Sequence, residues 1–364
     1  MSNIICSPGS YVQGNGEIKK LAEYCQKIEA KKAYLIVDKF IYETYKEEIE
    51  SSFQINKLPY TIAVFGGECS DVEIQKHQER LDGEQVILGI GGGKTLDTAK
   101  AVAYYTKTPV IIVPTAASSD APCSRLAVVY TEDHKFNHYL PLNKNPDIVI
   151  MDIEIIAKAP VRFLMAGIGD ALATYYEAIS SVKSDAVTMA GGHATNGAVT
   201  LAKLCKDILI ADGIKAKAAA ESGVSTKALE NIVEANTYLS GIGFESCGLA
   251  AAHAIHNGLT ALEETHKLLH GEKVAFGLIC QMVLENTDYT ELKEIVAFCK
   301  KCGLPTTFKD LGVEEVSDKR LLEVAVLSCD KDDTMKNMPF QVSPQDIVAA
   351  MKTADKICTE IYDV

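Results

Sequence analysis

The sequence predicts an α/β N-terminal half, Rossmann-like with a parallel sheet, followed by an all-α C-terminal half. Strand-length apolar runs alternate with helical patterns as far as Asp152, a glycine-rich turn joins one of those runs to a helix, and from about Pro160 only helical periodicity continues. This divides the chain into two expected domains, 1–160 and 161–364. The cleft between them is the default place for a ligand.

Taken in order, the runs KAYLIVD, YTIAVFG, QVILGIG and TPVIIVPT are nearly continuous in apolar residues and are bounded by Gly, Pro or charge. Strands buried on both faces of a parallel sheet have that composition. EIKKLAEYCQKIE, SDVEIQKHQERL and TLDTAKAVAYY read as helices around them, which gives the strand and helix alternation of a sheet covered on both sides. RLAVVYTEDHKFNHYLPL reads as a hairpin, and DIVIMD, Asp147 to Asp152, as the last strand. Beyond Pro160, stretches rich in Ala, Leu and Glu run at helical spacing, broken at places such as CGLP and NMPF.

At 364 residues and 47% hydrophobic the chain can bury a sizeable core. Its formal net charge of -13, without a Lys/Arg block, argues against nucleic acid or an anionic membrane as partner and for a small-molecule ligand. The start has no basic and apolar leader, and no apolar run is long enough to span a bilayer, so a cytoplasmic location is expected. Eleven cysteines, an odd number without framework spacing, are expected to be reduced. Cys299 and Cys302 form the one C-x-x-C, but it closes a helical stretch and lacks the second pair or preceding strand that a zinc or redox site needs.

VILGIGGGKTLDTAK places Gly89, Gly91, Gly92 and Gly93 between a buried strand and a helix. Backbone amides and a helix N-terminus can hold a phosphate there, and glycine allows the ligand to come close. The standard motifs do not match: a Walker loop needs Gly at Leu88, and G-x-G-x-x-G from Gly89 meets Lys94. The plainer alternative is a tight strand-to-helix turn. Asp38 ends the first apolar run, where its carboxylate can accept from a ribose diol and repel a 2′-phosphate, which favours NAD over NADP. VPTAASSDAPCS brings Thr115, Ser118 and Asp120 to the end of the fourth run, where loops line the crevice of a parallel sheet.

GFESCGLAAAHAIHNGLTA reads as a tightly packed helix with His253 and His256 three residues apart on one face. Satisfied core histidines are the alternative reading. Asp170 lies in another apolar, small-residue helical stretch, MAGIGDALATYYEA, and His270 stands beside Gly271 in HKLLHGEKVAFG. A carboxylate in such surroundings is costly unless it is paired, hydrogen-bonded or on a metal.

SPGSYVQGNG, GIGGGKTLDTAKAVA, PTAASSDAPCSRLAVVYT, GIGDALATYYEA, GLAAAHAIHNGL, HGEKVAFG and CDKDDTMKNMPF together span essentially the whole chain. With these motifs the sequence resembles the glycerol dehydrogenase family, within the iron-type alcohol dehydrogenase and dehydroquinate synthase-like group. The resemblance implies a metal site at Asp170, His253 and His270, with His256 near it as a group behind the ligands, a substrate contact or a proton relay. It implies cofactor contacts at Asp38, Gly91, Gly92, Gly93, Lys94, Thr95, Asp97, Thr115, Ser118, Ser124, Leu126 and Tyr130, and a polyol contact at Asp120. The iron-dependent branch carries a further histidine where this chain has Thr174. Two imidazoles and one carboxylate suit Zn2+ with an open position, and Fe2+ is the alternative.

The activity so implied is reversible oxidation of glycerol to dihydroxyacetone, and of related vicinal diols, with NAD. A homo-oligomer is expected from the resemblance only. Lys336 and Met338 depart from the family pattern, which leaves open a dehydrogenase of 2-hydroxy or 2-oxo acids with Lys336 helping an anionic substrate. A lyase of the dehydroquinate synthase type would need a cation cluster, for which the motif loops offer only Arg125, Lys267 and Lys273. A non-catalytic NAD-binding module is the remaining alternative, and retention of the three ligand types with Asp120 argues against it.

Overall fold

The computed structural model describes residues 1–314 and 316–362. Its first half comprises β1 (Ser10–Gly14), α1 (Leu21–Lys27), β2 (Ala33–Val37), α2 (Lys39–Ile55), β3 (Tyr60–Val64), α3 (Asp71–Glu79), β4 (Val86–Gly91), α4 (Gly93–Thr106), β5 (Val110–Pro114), β6 (Leu126–Tyr130), β7 (Phe136–Pro141) and β8 (Ile148–Asp152). Six strands form one parallel sheet in the order β1-β8-β5-β4-β2-β3, and β6 pairs antiparallel with β7. The four apolar runs, the hairpin and the last strand therefore lie where the sequence puts them. The sixth strand, β1, was not among those runs: it is a short, partly exposed edge strand that pairs with β8.

The continuous apolar runs follow from burial on both faces. Leu35, Val37, Leu88, Ile90, Ile111 and Val113 pack against α1 and α2 in one core. Their alternating neighbours Tyr34, Ile36, Ile87 and Ile112 belong to a second core that continues into the helical half. After β2 the chain moves to β3 on one side, and after β4 it moves to β5 on the other. The carboxyl ends of β2 and β4 therefore flank the point where the strand order reverses, the usual ligand crevice of an open parallel sheet.

The second half is helical: α5 (Ile153–Lys158), α6 (Val161–Lys183), α7 (Asn196–Glu221), α8 (Lys227–Glu234), a π-turn (Ala235–Leu239), α9 (Ser240–Cys247), α10 (Ala251–Leu259), α11 (His270–Leu284), α12 (Tyr289–Cys302), α13 (Asp318–Ser328) and α14 (Pro344–Tyr362). GFESCGLAAAHAIHNGLTA is two helices and not one. At Gly248 the backbone adopts φ 101°, which side chains rarely tolerate, and α10 starts afresh beyond it. His253 thereby falls in the first turn of a new helix.

Two glycines bring the backbones together around that helix. A Cβ on Gly271 would lie 1.8 Å from Ala166 O, and one on Gly167 would lie 2.1 Å from Ala117 O. Only glycine lets α11 cross α6 this closely next to Asp170, and lets α6 touch the loop after β5. Gly271→Ala is expected to destabilise the protein by about 1–3 kcal/mol through this overpacking. An unchanged denaturation midpoint would show that the crossing has slack.

No helix among the described residues is long and apolar enough to cross a membrane. The cysteines are free thiols, with Cys299 and Cys302 buried in α12, so the C-x-x-C spacing serves core packing.

Candidate active site

At the crevice between β2 and β4, α4 begins at Gly92, which provides no side-chain cap for the helix. The first-turn amides are left for another acceptor. The glycines there have different tasks. A Cβ on Gly89 would lie 2.6 Å from that of Ala99, so this residue seats the strand on α4. Gly91 has φ 153° and is crowded by Asp38 and Thr95. Gly92 and Gly93 face open space, where a ligand can approach. They line a recess with Asp38, Gly66, Lys94 and Thr95.

Asp38 caps α2: its Oδ1 accepts from the N–H groups of Phe40 (2.9 Å) and Ile41 (3.2 Å). Among the described residues no donor is bonded to Oδ2. Lys94 leans over the Tyr130 ring, with Nζ 5.3 Å from its centroid, and pairs with Glu68 at 2.6 Å. Burial pushes the Tyr130 hydroxyl up to about 12. Glu68 also lies 2.5 Å from His134 Nδ1 and so ties the glycine loop to the hairpin.

Three other expected cofactor residues are occupied within the protein. Asp97 accepts from Val128 N at 3.1 Å and lies 3.4 Å from the buried Lys100. Ser124 donates to Ala121 O at 2.8 Å, and Leu126 O accepts from Lys100 at 3.0 Å. Together these groups fasten the hairpin base to α4. Thr115 and Ser118 stand in the loop after β5, and the Thr115 N–H donates to Gly91 O.

The loop after β5 carries Asp120 into contact with α6. The Asp120 N–H donates to Asp170 Oδ2 at 3.3 Å, and Asp120 Oδ2 accepts from Ser240 Oγ at 2.7 Å. Ser240 follows the π-turn, whose Asn236 donates to Ala117 O at 3.0 Å, so one wide turn holds the loop at two points. Thr174 Oγ1 lies 2.7 Å from Ser240 Oγ, and the chain from Thr174 through Ser240 to Asp120 is buried.

Asp170, His253 and His270 come from α6, α10 and α11, and their ligand atoms all lie within 4.8 Å of one another. Asp170 is fully buried, and its Oδ1 lies 3.3 Å from His253 Nε2 and 3.1 Å from His270 Nε2. Neither approach has hydrogen-bond geometry, and among the described residues no donor is bonded to Oδ1. A buried, unbonded carboxylate oxygen facing two imidazole nitrogens is what a divalent cation satisfies.

Electrostatics divides the two neighbouring carboxyls. Burial and the Asp170 carboxylate push Asp120 well above the usual range. For Asp170, burial is outweighed by His270 and His253, which hold it well below. Burial opposes a charge on His253, but Glu177 and Asp170 raise it well above the ordinary histidine value.

His256 joins the group with its ring 4.2 Å from that of His270 and 6.4 Å from that of His253. Burial, His270, Lys273 and His253 hold it well below the usual histidine value, so it is neutral at neutral pH. Its Nδ1 lies 2.9 Å from Asn257 Oδ1, and Asn257 donates to Asp333 at 2.8 Å. The DDTMKNMPF segment therefore reaches the site through Asp333. Lys336 is exposed, with Nζ 3.5 and 3.4 Å from the carbonyls of Lys331 and Asp332, and Met338 is buried.

Sequence reasoning missed Glu68, Glu177, Ser240, Asn257 and Asp333. Glu177 carried the signal that exposed Asp170, a carboxylate inside an apolar helix. Ser240 carried none, since its role depends on the π-turn.

The family model for iron-containing alcohol dehydrogenase matches residues 8–153. The chain is 49% identical to the glycerol dehydrogenase of Citrobacter freundii, with 98% of each chain covered. It is 50% identical to that of Thermotoga maritima, with 96% of each covered. Among solved structures, glycerol dehydrogenase from Schizosaccharomyces pombe superimposes with a TM-score of 0.94 at 40% identity, over 100% of this chain and 92% of that one.

Proposed function

The chain belongs to the glycerol dehydrogenase family of the iron-containing alcohol dehydrogenases, and we propose that it oxidises glycerol to dihydroxyacetone, and related vicinal diols, reversibly with NAD. The enzyme is a polyol dehydrogenase. The observation that carries the metal part is Asp170 Oδ1, without a donor among the described residues, between two imidazole Nε2 atoms, on a carboxylate whose Oδ2 accepts from the Asp120 N–H. The donor set fits Zn2+ in preference to Fe2+: three protein ligands with an open position, and Thr174 where the iron-dependent branch has a third histidine. When bound, the cation supplies Lewis acidity toward a hydroxyl oxygen, and the dinucleotide supplies the two-electron acceptor.

The residues have separate tasks. Asp170, His253 and His270 hold the cation. Asp120, anchored at Oδ2 by Ser240, accepts from the polyol hydroxyl that is not on the metal and so orients the central carbon. His256, neutral and with Nδ1 on Asn257, lines the same space as a relay or contact. Gly92 and Gly93 and the open amides of α4 take the pyrophosphate, and Asp38 takes the adenosine ribose. The division into a dinucleotide domain, 1–160, and a metal-bearing domain, 161–364, belongs to this reading. A cytoplasmic homo-oligomer rests on the family alone.

Asp38 yields a cofactor prediction. Asp38→Asn keeps an oxygen to cap α2 but removes the charge that opposes a 2′-phosphate. NAD is expected to be preferred by the unmodified enzyme, and the substitution is expected to narrow that preference. Equal catalytic efficiency with NAD and NADP in the unmodified enzyme would remove the role.

Lys336, the cation offered to the 2-oxo acid reading, is exposed and lies against carbonyls of its own loop. A phosphorylated acidic substrate is disfavoured, since Arg125 is paired with Glu245 at 3.2 Å and with Met189 O at 2.7 Å. Turnover of glycerol, 1,2-propanediol and lactate, with NAD and Zn2+ present, decides. Diols should be oxidised and lactate should not; faster turnover of lactate would move the enzyme to the hydroxy acids.

A further inference from the structure

Glu177 is fully buried beside this centre, and the chemistry above gives it no task. It lies seven residues after Asp170 on α6, two turns along the same face. Its Oε1 accepts from the backbone N–H groups of Ala250 (2.8 Å) and His253 (3.0 Å), and its Oε2 lies 2.6 Å from His253 Nδ1. Oε1 thus satisfies donors at the start of α10, and those bonds keep the carboxyl from rotating away from the ring. A carboxylate only accepts, so the proton between them sits on His253 Nδ1. When a cation takes the place of the second ring proton, Nε2, which faces Asp170 and His270, is the nitrogen free to ligate it.

We propose that Glu177 is the positioning residue of the metal centre: it fixes His253 in the tautomer and orientation whose Nε2 can ligate the cation, and makes that nitrogen the stronger donor. This rests on the metal reading above. The geometry also says what an uncharged isostere does. In Glu177→Gln the amide oxygen has to keep the two backbone donors of α10, which turns the NH2 group to the ring. Nδ1 becomes an acceptor, and the ring proton moves to Nε2, where it blocks ligation. Turning the amide over relieves the ring but sets NH2 against two backbone N–H groups, which unseats the helix start that carries His253.

The test is the Zn2+ affinity of the metal-stripped full-length protein, measured by competition with a chromogenic chelator, together with thermal unfolding of the metal-free forms. Glu177→Gln is expected to bind Zn2+ about 10- to 100-fold more weakly, with NAD affinity unchanged and Glu177→Asp closer to the unmodified protein. Unaltered Zn2+ affinity with an earlier unfolding transition would overturn the proposal and make Glu177 a cap of α10. If the unmodified protein takes up no Zn2+, the metal reading itself falls, and the positioning role with it. Should Glu177→Gln fail to fold, the Zn2+-loaded unmodified protein decides. Its His253 Nδ1 proton is expected as a downfield NMR resonance protected from exchange, and absence of that resonance overturns the proposal.

Discussion

His253→Ala and His270→Ala are expected to lose bound metal and at least about a thousandfold of glycerol turnover, corresponding to the several kcal/mol that a Lewis-acid cation contributes. Both variants should stay folded. The ligands come from three helices that are already locked by the close backbone crossing at Gly271 and by a core running through α6, α10 and α11. In a chain with so large a core the cation is not needed to hold the structure. His256→Ala is the internal control, because its Nδ1 is engaged by Asn257 and it is not one of the three converging ligands. It should retain metal. Elemental analysis, circular dichroism and turnover on the same preparations distinguish loss of metal from loss of fold. A metal-free variant with full turnover would remove the assignment of all three residues.

With a cation on Asp170 to offset the charge that pushes Asp120 up, Asp120→Asn is expected to reduce diol turnover by about ten- to a hundredfold, the loss of one charged hydrogen bond of roughly 1.5–3 kcal/mol, with metal and NAD still bound. Its Oδ2 is held by Ser240, while no donor among the described residues is bonded to Oδ1, the oxygen left for a substrate hydroxyl. Comparison with 2-propanol isolates the effect, since that alcohol has no second hydroxyl and should be little affected. A uniform loss across glycerol, 1,2-propanediol and 2-propanol would mean that the substitution acts through Asp170, to which the Asp120 N–H is bonded. No change at all would leave Asp120 a loop carboxylate.

The sheet was legible because buried parallel strands carry an unmistakable composition, and the glycine turn was legible because it interrupts that composition at a strand end. β1 was not, since an edge strand of five residues with polar positions gains its order from pairing with β8 far along the chain. The break between α9 and α10 hid in a glycine followed by good helix formers, where only the backbone angle reveals the new helix start. Asp170, His253 and His270 stood out because charge and imidazole are expensive in apolar helices. Their convergence depends on Gly271 and Gly167, whose packing cannot be read from spacing. Asp97, Ser124 and Leu126 also carry structural bonds that spacing does not show: Asp97 on α4 accepts from Val128 of the hairpin, and Leu126 O accepts from the buried Lys100.

The central claim is that one cation held by Asp170, His253 and His270 supports NAD-dependent diol oxidation. Stepwise addition of Zn2+ to the stripped full-length enzyme, with glycerol and NAD present and NADH fluorescence as the readout, tests it most directly. No turnover is expected without metal, followed by a linear rise that ends at one Zn2+ per chain. Full turnover before any metal is added, in protein shown by elemental analysis to be metal-free, would contradict it.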